Sequence, residues 1–273
     1  MDTNKFPPAR PADPVRIASA TVHVGTSGWH YKPWIGDFYP PRFAPAKMLG
    51  WYAREFNTVE INNSFYRLPE EKTFREWAST VPRGFLFSVK ASRFLTHIKR
   101  LKDAEDPIRL FFSRARFLGR KLGPVLFQLP PKWKADHGRL REFLELLPPN
   151  HTYAIEFRDP TWYNEPIYEL LRSHDVALCM HDWHSELWPQ ELTAKLAYLR
   201  FHGTTGRYAG NYPDQLLEEW ARKIATWSTQ LEQFFIYFNN DVAGHAVRNA
   251  ITLRAALHRI AGGSDSASFQ RVA

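Results

Sequence analysis

Eight short apolar segments recur along this 273-residue chain, each running into polar residues at its C-terminal end, and helical stretches separate most of them. That alternation limits the fold more than any other feature. Residues 153–159 show the pattern most clearly. Tyr153, Ile155 and Phe157 alternate with Ala154, Glu156 and Arg158, a period of two that predicts a strand. Asp159-Pro160 then ends it, because proline has no N–H for the ladder and favours a turn. The same reading places strands at 22–25, 58–62, 85–90, 124–128, 176–180, 196–200 and 234–238. Helices are expected at 46–56, 73–81, 107–118, 137–147, 165–173, 213–231 and 245–260, and only the link before residue 196 lacks a helical pattern. Strands alternating with helices imply a parallel sheet covered by helices. Eight such units predict an α/β fold of the closed (β/α)8 TIM-like barrel type, in a single domain over residues 21–261. A doubly wound sheet is less apt, since Gly25-Thr26-Ser27-Gly28 has too few glycines for a dinucleotide-binding turn. Residues 1–20, with Pro7, Pro8, Pro11 and Pro14, and residues 262–273 are expected to be flexible tails.

Composition sets bounds on partners. Charged residues are 23% and hydrophobic residues 44%, ordinary for a globular chain. The formal net charge is +8, and it is concentrated: between residues 90 and 121, ten Lys/Arg face only Asp103, Glu105 and Asp106. Such a segment suits phosphates on nucleic acid or on a small substrate, or it is a solvated helix face. The lone Cys179 rules out an intrachain disulfide and, inside an apolar run, is expected to be a buried thiol. No apolar run approaches the roughly 18 residues of a membrane span, and no secretory h-region is read at the N-terminus, so the expected location is cytoplasmic, with no membrane partner.

In a barrel, chemistry sits at the C-terminal strand ends. Those ends carry Ser27, Glu60 and Asn62, Lys90, Gln128, Glu156 and Arg158, His181-Asp182, Arg200 and His202, and Asn239. Parity puts Glu60 on one face with Asn62, and Arg200 with Tyr198 and His202, opposite the greasier neighbours, which in a barrel is the interior. Buried carboxylates are costly unless paired, and two acids (Glu60, Glu156) with three bases (Lys90, Arg158, Arg200) could neutralise one another. Of the adjacent His181 and Asp182, at most one can face the mouth. A metal variant would draw on Glu60, Glu156, Asp182, His181 or His202. No local ligand spacing supports it, so no metal is assigned and the cofactor is unknown. The Gly203–Tyr212 stretch, with three glycines and two tyrosines, has the composition of a lid or of an ordinary loop. Trp29, Trp34, Trp162 and Trp183 follow strand ends, either to stack on a ligand or to cap the core.

The ordered set of these pieces resembles the YecE-like family, domain of unknown function 72. It comprises Gly25-Thr26-Ser27-Gly28-Trp29 with Phe38-Tyr39-Pro40, Thr58-Val59-Glu60-Ile61-Asn62 with Phe65-Tyr66-Arg67, and Phe87-Ser88-Val89-Lys90-Ala91. It continues with Gln128-Leu129-Pro130-Pro131, Glu156-Phe157-Arg158 with Trp162, Arg200-Phe201-His202-Gly203, and Phe238-Asn239-Asn240-Asp241. The match runs from about residue 22 to 258. The resemblance implies a TIM-like barrel and supplies no reaction.

From the residues, the leading expectation is an enzyme acting on a small polar, anionic or carbohydrate-like substrate, with hydrolase, isomerase and lyase chemistry all open. Glu60, Glu156 and His202 are the catalytic candidates, two carboxylates in different settings being able to serve as acid and base. Ser27, Trp29, Asn62, Lys90, Gln128, Arg158, Asp182, Arg200 and Asn239 are the substrate-binding candidates, Arg being suited to bidentate anion recognition. The rival expectations are a nucleic-acid-binding protein or metal-dependent nuclease using the 90–121 segment, and a non-catalytic binding scaffold. The oligomeric state is not legible.

Overall fold

The strands are β1 (Val15–Ile17), β2 (Ala20–Thr26), β3 (Thr58–Ile61), β4 (Leu86–Lys90), β5 (Leu122–Gln128), β6 (Tyr153–Glu156), β7 (Val176–His181), β8 (Leu196–Phe201) and β9 (Gln233–Phe238). The helices are α1 (Met48–Glu55), α2 (Asn63–Tyr66), α3 (Glu71–Thr80), α4 (Glu105–Ala115), α5 (His137–Glu145), α6 (Glu165–Ser173), α7 (Asp214–Trp227) and α8 (His245–Ala267). These come from a computed structural model describing residues 13–183, 189–205 and 208–267.

All nine strands belong to one curled sheet in the order β1-β2-β9-β8-β7-β6-β5-β4-β3, parallel throughout except for β1. The first parallel strand pairs with the last: β2 runs beside β9 from Thr21↔Gln233 to Thr26↔Phe238. Between β2 and β3, at the other end of that order, an isolated parallel bridge joins Ser27 to Glu60. There the backbones approach so closely that a Cβ on Gly25 would lie 2.4 Å from the Thr58 carbonyl oxygen, so only glycine fits. Lower on the same edge of β2, β1 lies antiparallel to it, with Val15 opposite Val22.

The predicted alternation is realised in two cores. The outer faces of the strands, among them Tyr153, Ile155 and Phe157, pack against the helices in the main core. The inner faces form a second cluster that includes Leu126, Ala154, Ala177, Cys179, Tyr198, Phe235 and Tyr237. The helices are held by the devices their sequences offer. Asn164 caps α6 by accepting from the Ile167 N–H at 3.2 Å, Pro166 sits in its first turn, and Ile167, Leu170 and Leu171 form its buried stripe. Asp136 caps α5 through the Arg139 N–H at 2.9 Å.

Two expectations change at the chain ends. Val15–Ile17, read as tail, is strand β1: Ala18 turns the chain with φ +49°, and Val15 and Ile17 are buried beside α8. Similarly, α8 continues to Ala267, past residue 262. The aromatic loop after β2 folds over α1 as part of the core. Trp34 and Tyr39 are buried, Trp51 Nε1 donates to the Phe38 carbonyl at 3.0 Å, and Tyr52 OH accepts from the Thr26 N–H at 2.9 Å. Among the described residues, no helix is long and apolar enough to cross a membrane.

Candidate functional site

The inner ends of β3, β6 and β8 place Glu60, Glu156 and Arg200 together with almost no exposure. Arg200 bridges the acids, Nη1 donating to Glu156 Oε2 at 2.6 Å and Nη2 to Glu60 Oε1 at 2.9 Å. Glu60 takes two further bonds, from Ser27 Oγ to Oε1 and from Tyr198 OH to Oε2, both at 2.6 Å. Glu156 is also paired with Arg158, whose Nε and Nη2 reach Oε1, and the Cys179 thiol lies 3.7 Å from Oε2. Burial alone raises the pKa of Glu156, but Arg158 and Arg200 outweigh it and hold the carboxyl well below the usual range. Arg200 is likewise pushed above its ordinary value, since Glu60 and Glu156 overcome the effect of burial. Cys179 goes the other way: burial, then Glu156, keep it a thiol.

A second set of groups caps this layer. Arg158 stacks its guanidinium 3.9 Å from the Trp183 ring centroid and brings Nη2 to within 3.2 Å of His202 Nε2. Arginine can only donate, so Nε2 accepts and the imidazole proton sits on Nδ1, which the Asn239 amide 3.3 Å away can meet only by turning its oxygen toward the ring. His202 is neutral: burial, then Arg200 and Arg158, hold its pKa well below 6.5. Lys90 extends from β4 with Nζ 2.5 Å from Gln128 Oε1 and 4.2 Å from the centroid of the Phe65 ring. Among the described residues Lys90 forms no ion pair, although its side chain is buried. Burial, then Arg200, lower its pKa to about 7, with Glu156 and Glu60 pulling the other way.

Nine of the candidate residues therefore converge: Ser27, Glu60, Lys90, Gln128, Glu156, Arg158, Arg200, His202 and Asn239. Three do not. Trp29 packs edge-on against Trp77 and, with Asn62, lines a separate cavity of about 540 Å³ beside α1 and α3. Asn62 misses the cluster because the chain has already turned there, with φ −100° and ψ −23°, to start α2. Asp182 holds the loop after β8: it accepts from the His202 N–H at 2.6 Å and from Tyr212 OH, which in turn takes the Gly203 N–H at 2.7 Å. Gly203 has φ +117°, and a Cβ there would lie 2.0 Å from the Ala209 carbonyl oxygen, so this loop base needs glycine. Residues 206 and 207 of the expected lid lie outside the described residues.

Tyr198 and Phe65 escaped the sequence-based site, while Trp183, read as a residue that either stacks on a ligand or caps the core, lies over Arg158. Tyr198 had a signal, since it precedes Arg200 by two and shares its face. Phe65 had none, because it reaches Lys90 from the α2 turn rather than along a strand. His181, and not Asp182, faces inward. Its Nε2 donates to the Phe157 carbonyl at 2.9 Å, its Nδ1 accepts from the Trp183 N–H at 3.3 Å, and burial lowers its pKa to about 4. Ligand atoms of Glu156, His181 and His202 lie within 4.8 Å of one another, close enough to hold a metal. Each is already engaged, however, and a cation there would have to displace the Arg158 guanidinium.

Part of the basic 90–121 segment is committed to its own surroundings. Lys121 Nζ holds the Val81 carbonyl at 2.6 Å, Arg114 holds the Leu68 carbonyl at 3.1 Å, and Lys99 and Arg109 pair with Asp103 and Asp106.

Comparison with known proteins agrees with the fold. The family model described as "Protein of unknown function DUF72" matches residues 23–270. The UPF0759 protein YunF of Bacillus subtilis (strain 168) is 28% identical over 264 residues, covering 84% of this chain and 92% of that protein. The UPF0759 protein YecE of Escherichia coli (strain K12) is 22% identical over 249 residues, covering 81% and 88%. Among solved structures, the DUF72 family protein TM1631 of Thermotoga maritima MSB8 superposes with a TM-score of 0.78 at 28% identity, over 87% of this chain and 99% of that one. The DUF72 family protein EF0366 of Enterococcus faecalis V583 superposes with a TM-score of 0.75 at 19% identity, over 87% and 95%.

Proposed function

The chain belongs to the DUF72 family, and for it we propose a closed (β/α)8 barrel whose C-terminal mouth binds a small anionic substrate as the first step of an enzymatic reaction. Closure is supported by the Ser27–Glu60 bridge and by the contact of Gly25 with the Thr58 carbonyl. The observation that carries the binding reading is Lys90, a buried amine without an acidic partner among the described residues. Around it Glu60 and Glu156 are saturated by Arg200, Arg158, Tyr198 and Ser27. When Lys90 is protonated, the cluster holds three cations against two carboxylates, and a buried excess charge is stabilised by an anion. Glu156 acts here by fixing Arg158, and Glu60 by fixing Arg200. Lys90 and Arg158 meet the substrate, His202, Gln128 and Asn239 orient it, and Trp183 backs the Arg158 plane. Neutral His202 is the candidate proton acceptor.

Calorimetry and thermal shift with inorganic phosphate, oxalate and small carboxylates test this reading. The expected result is stabilisation of the wild type and at least about tenfold weaker binding, about 1.4 kcal/mol, in Lys90→Met and in Arg158→Met. Binding unchanged in both variants would place the site elsewhere.

A second reading, nucleic-acid binding, has one observation in its favour. Tyr66 and Phe94 are exposed along a groove of about 720 Å³ that also carries Arg109, and exposed aromatics beside cations stack bases. A gel-shift series over salt should weaken steeply on this reading, and no shift at low salt removes it.

A further inference from the structure

Lys90 has the surroundings of a nucleophile. A buried primary amine held for its charge is normally matched by a carboxylate. Here its one hydrogen bond among the described residues goes to the neutral Gln128 oxygen at 2.5 Å, and the Phe65 ring covers a flank. The charged groups whose fields reach it come from other elements: Arg200 on β8, Arg158 after β6, Glu156 on β6 and Glu60 on β3. The two carboxylates spend their oxygens on other donors, and although their charge favours the protonated amine, burial and the Arg200 guanidinium outweigh it. A desolvated lysine beside another cation is the usual setting of an amine that attacks carbonyls. Arg158 supplies the complementary group. Its Nε and Nη2 serve Glu156 and His202, while Nη1 bonds none of the described residues, and its plane is fixed by Trp183.

We propose that Lys90 forms an imine with a small 2-oxo acid whose carboxylate is held by Arg158. This inference rests on the anion-binding reading of the same mouth and names the substrate class. The neutral Nζ attacks the ketone carbon, forming a C–N bond as the carbonyl π pair moves onto oxygen. A proton passes from nitrogen to that oxygen to give the carbinolamine. The C–O bond then breaks, and the oxygen leaves as water with the two hydrogens that began on Nζ. The Gln128 oxygen orients Nζ by accepting one of those hydrogens before attack. The imine makes the adjacent carbon acidic, which is the chemistry of lyases and of proton-transfer isomerases.

The experiment is reductive trapping. The full chain is incubated with pyruvate or with glyoxylate and sodium cyanoborohydride, which delivers hydride to the imine carbon and leaves a stable secondary amine. Intact mass and peptide mapping then locate it. The expected result is one adduct per chain, mapped to Lys90, at a level about tenfold above any surface lysine, and lost in Lys90→Arg. Mapping on the wild type decides the question even where that variant folds poorly. Oxalate, which binds as an anion and has no ketone, should suppress trapping by competition. Adducts spread over surface lysines, or no adduct with either 2-oxo acid, overturn the proposal. If oxalate still binds in a Lys90- and Arg158-dependent manner without any adduct, imine formation fails while the anion site stands. If oxalate does not bind either, both fail together.

Discussion

The charged cluster divides into two layers that differ less in charge than in spare bonding capacity. In the inner layer Arg200 bridges Glu60 and Glu156, and Tyr198 and Ser27 complete Glu60. In the outer layer Lys90 leans on a neutral amide, Arg158 keeps one nitrogen uncommitted among the described residues, and neutral His202 accepts from Arg158 and abuts the Asn239 amide. Both layers are buried and both arose from the same sequence signal, charge at the end of an apolar strand. What separates them is whether each donor and acceptor is already answered. An answered buried charge is architecture, and its loss is felt in stability. An unanswered one is, on the function proposed, a place for a ligand, and its loss should be felt in binding.

The largest effect expected from breaking this contrast is in the inner layer. Arg200→Met leaves Glu60 buried without a cation and Glu156 with Arg158 alone, and should cost on the order of 3–5 kcal/mol, read from denaturant unfolding; a cost below about 1 kcal/mol would erase the distinction between layers. Glu156→Gln keeps the shape but weakens what holds Arg158 and Arg200, with an expected loss of about 1–3 kcal/mol and weaker oxalate binding in calorimetry, since Arg158 is no longer fixed. Tyr198→Phe removes one of three donors to Glu60 and should cost about 1 kcal/mol by the same unfolding measurement, with binding unaltered. At Lys90 the effect on stability has the opposite sign. The folded-state pKa is near 7 and the unfolded value near 10.5, so between them the unfolded chain binds the extra proton and stability rises with pH. The penalty of the buried ammonium is complete below pH 7 and relieved on the way to pH 10.5. Lys90→Met should therefore melt above wild type at pH 7, with the gap closing toward pH 10 in a calorimetric series. A gap that widens with pH would show that Lys90 is held as a structural cation.

How much of this was legible follows from how each part is encoded. Strand positions and the inward parity of Glu60, Glu156 and Arg200 rest on a period of two, which the sequence carries directly. The strand β1 was hidden because it is three residues long, in a proline-rich stretch, and depends on burial beside α8 rather than on its own pattern. Asn62 was misplaced because a parity rule holds only while the strand continues, and the chain turns into α2 at that residue. Asp182 was counted with the mouth although its carboxylate serves a loop, since adjacency to His181 does not say which of the two points in. Phe65 arrives from a turn, and no periodicity predicts that.

The pairing of β2 with β9 has a consequence for how the chain is born. The main partner of the strand Ala20–Thr26 is Gln233–Phe238, which leaves the ribosome about two hundred residues later. At roughly 5–20 residues per second, that is a wait of about ten to forty seconds. Through that interval the β9-facing edge of β2 has no strand to meet, and only the short hairpin with β1 forms early, covering the opposite edge. The nascent protein thus carries an open edge on β2 until β9 emerges.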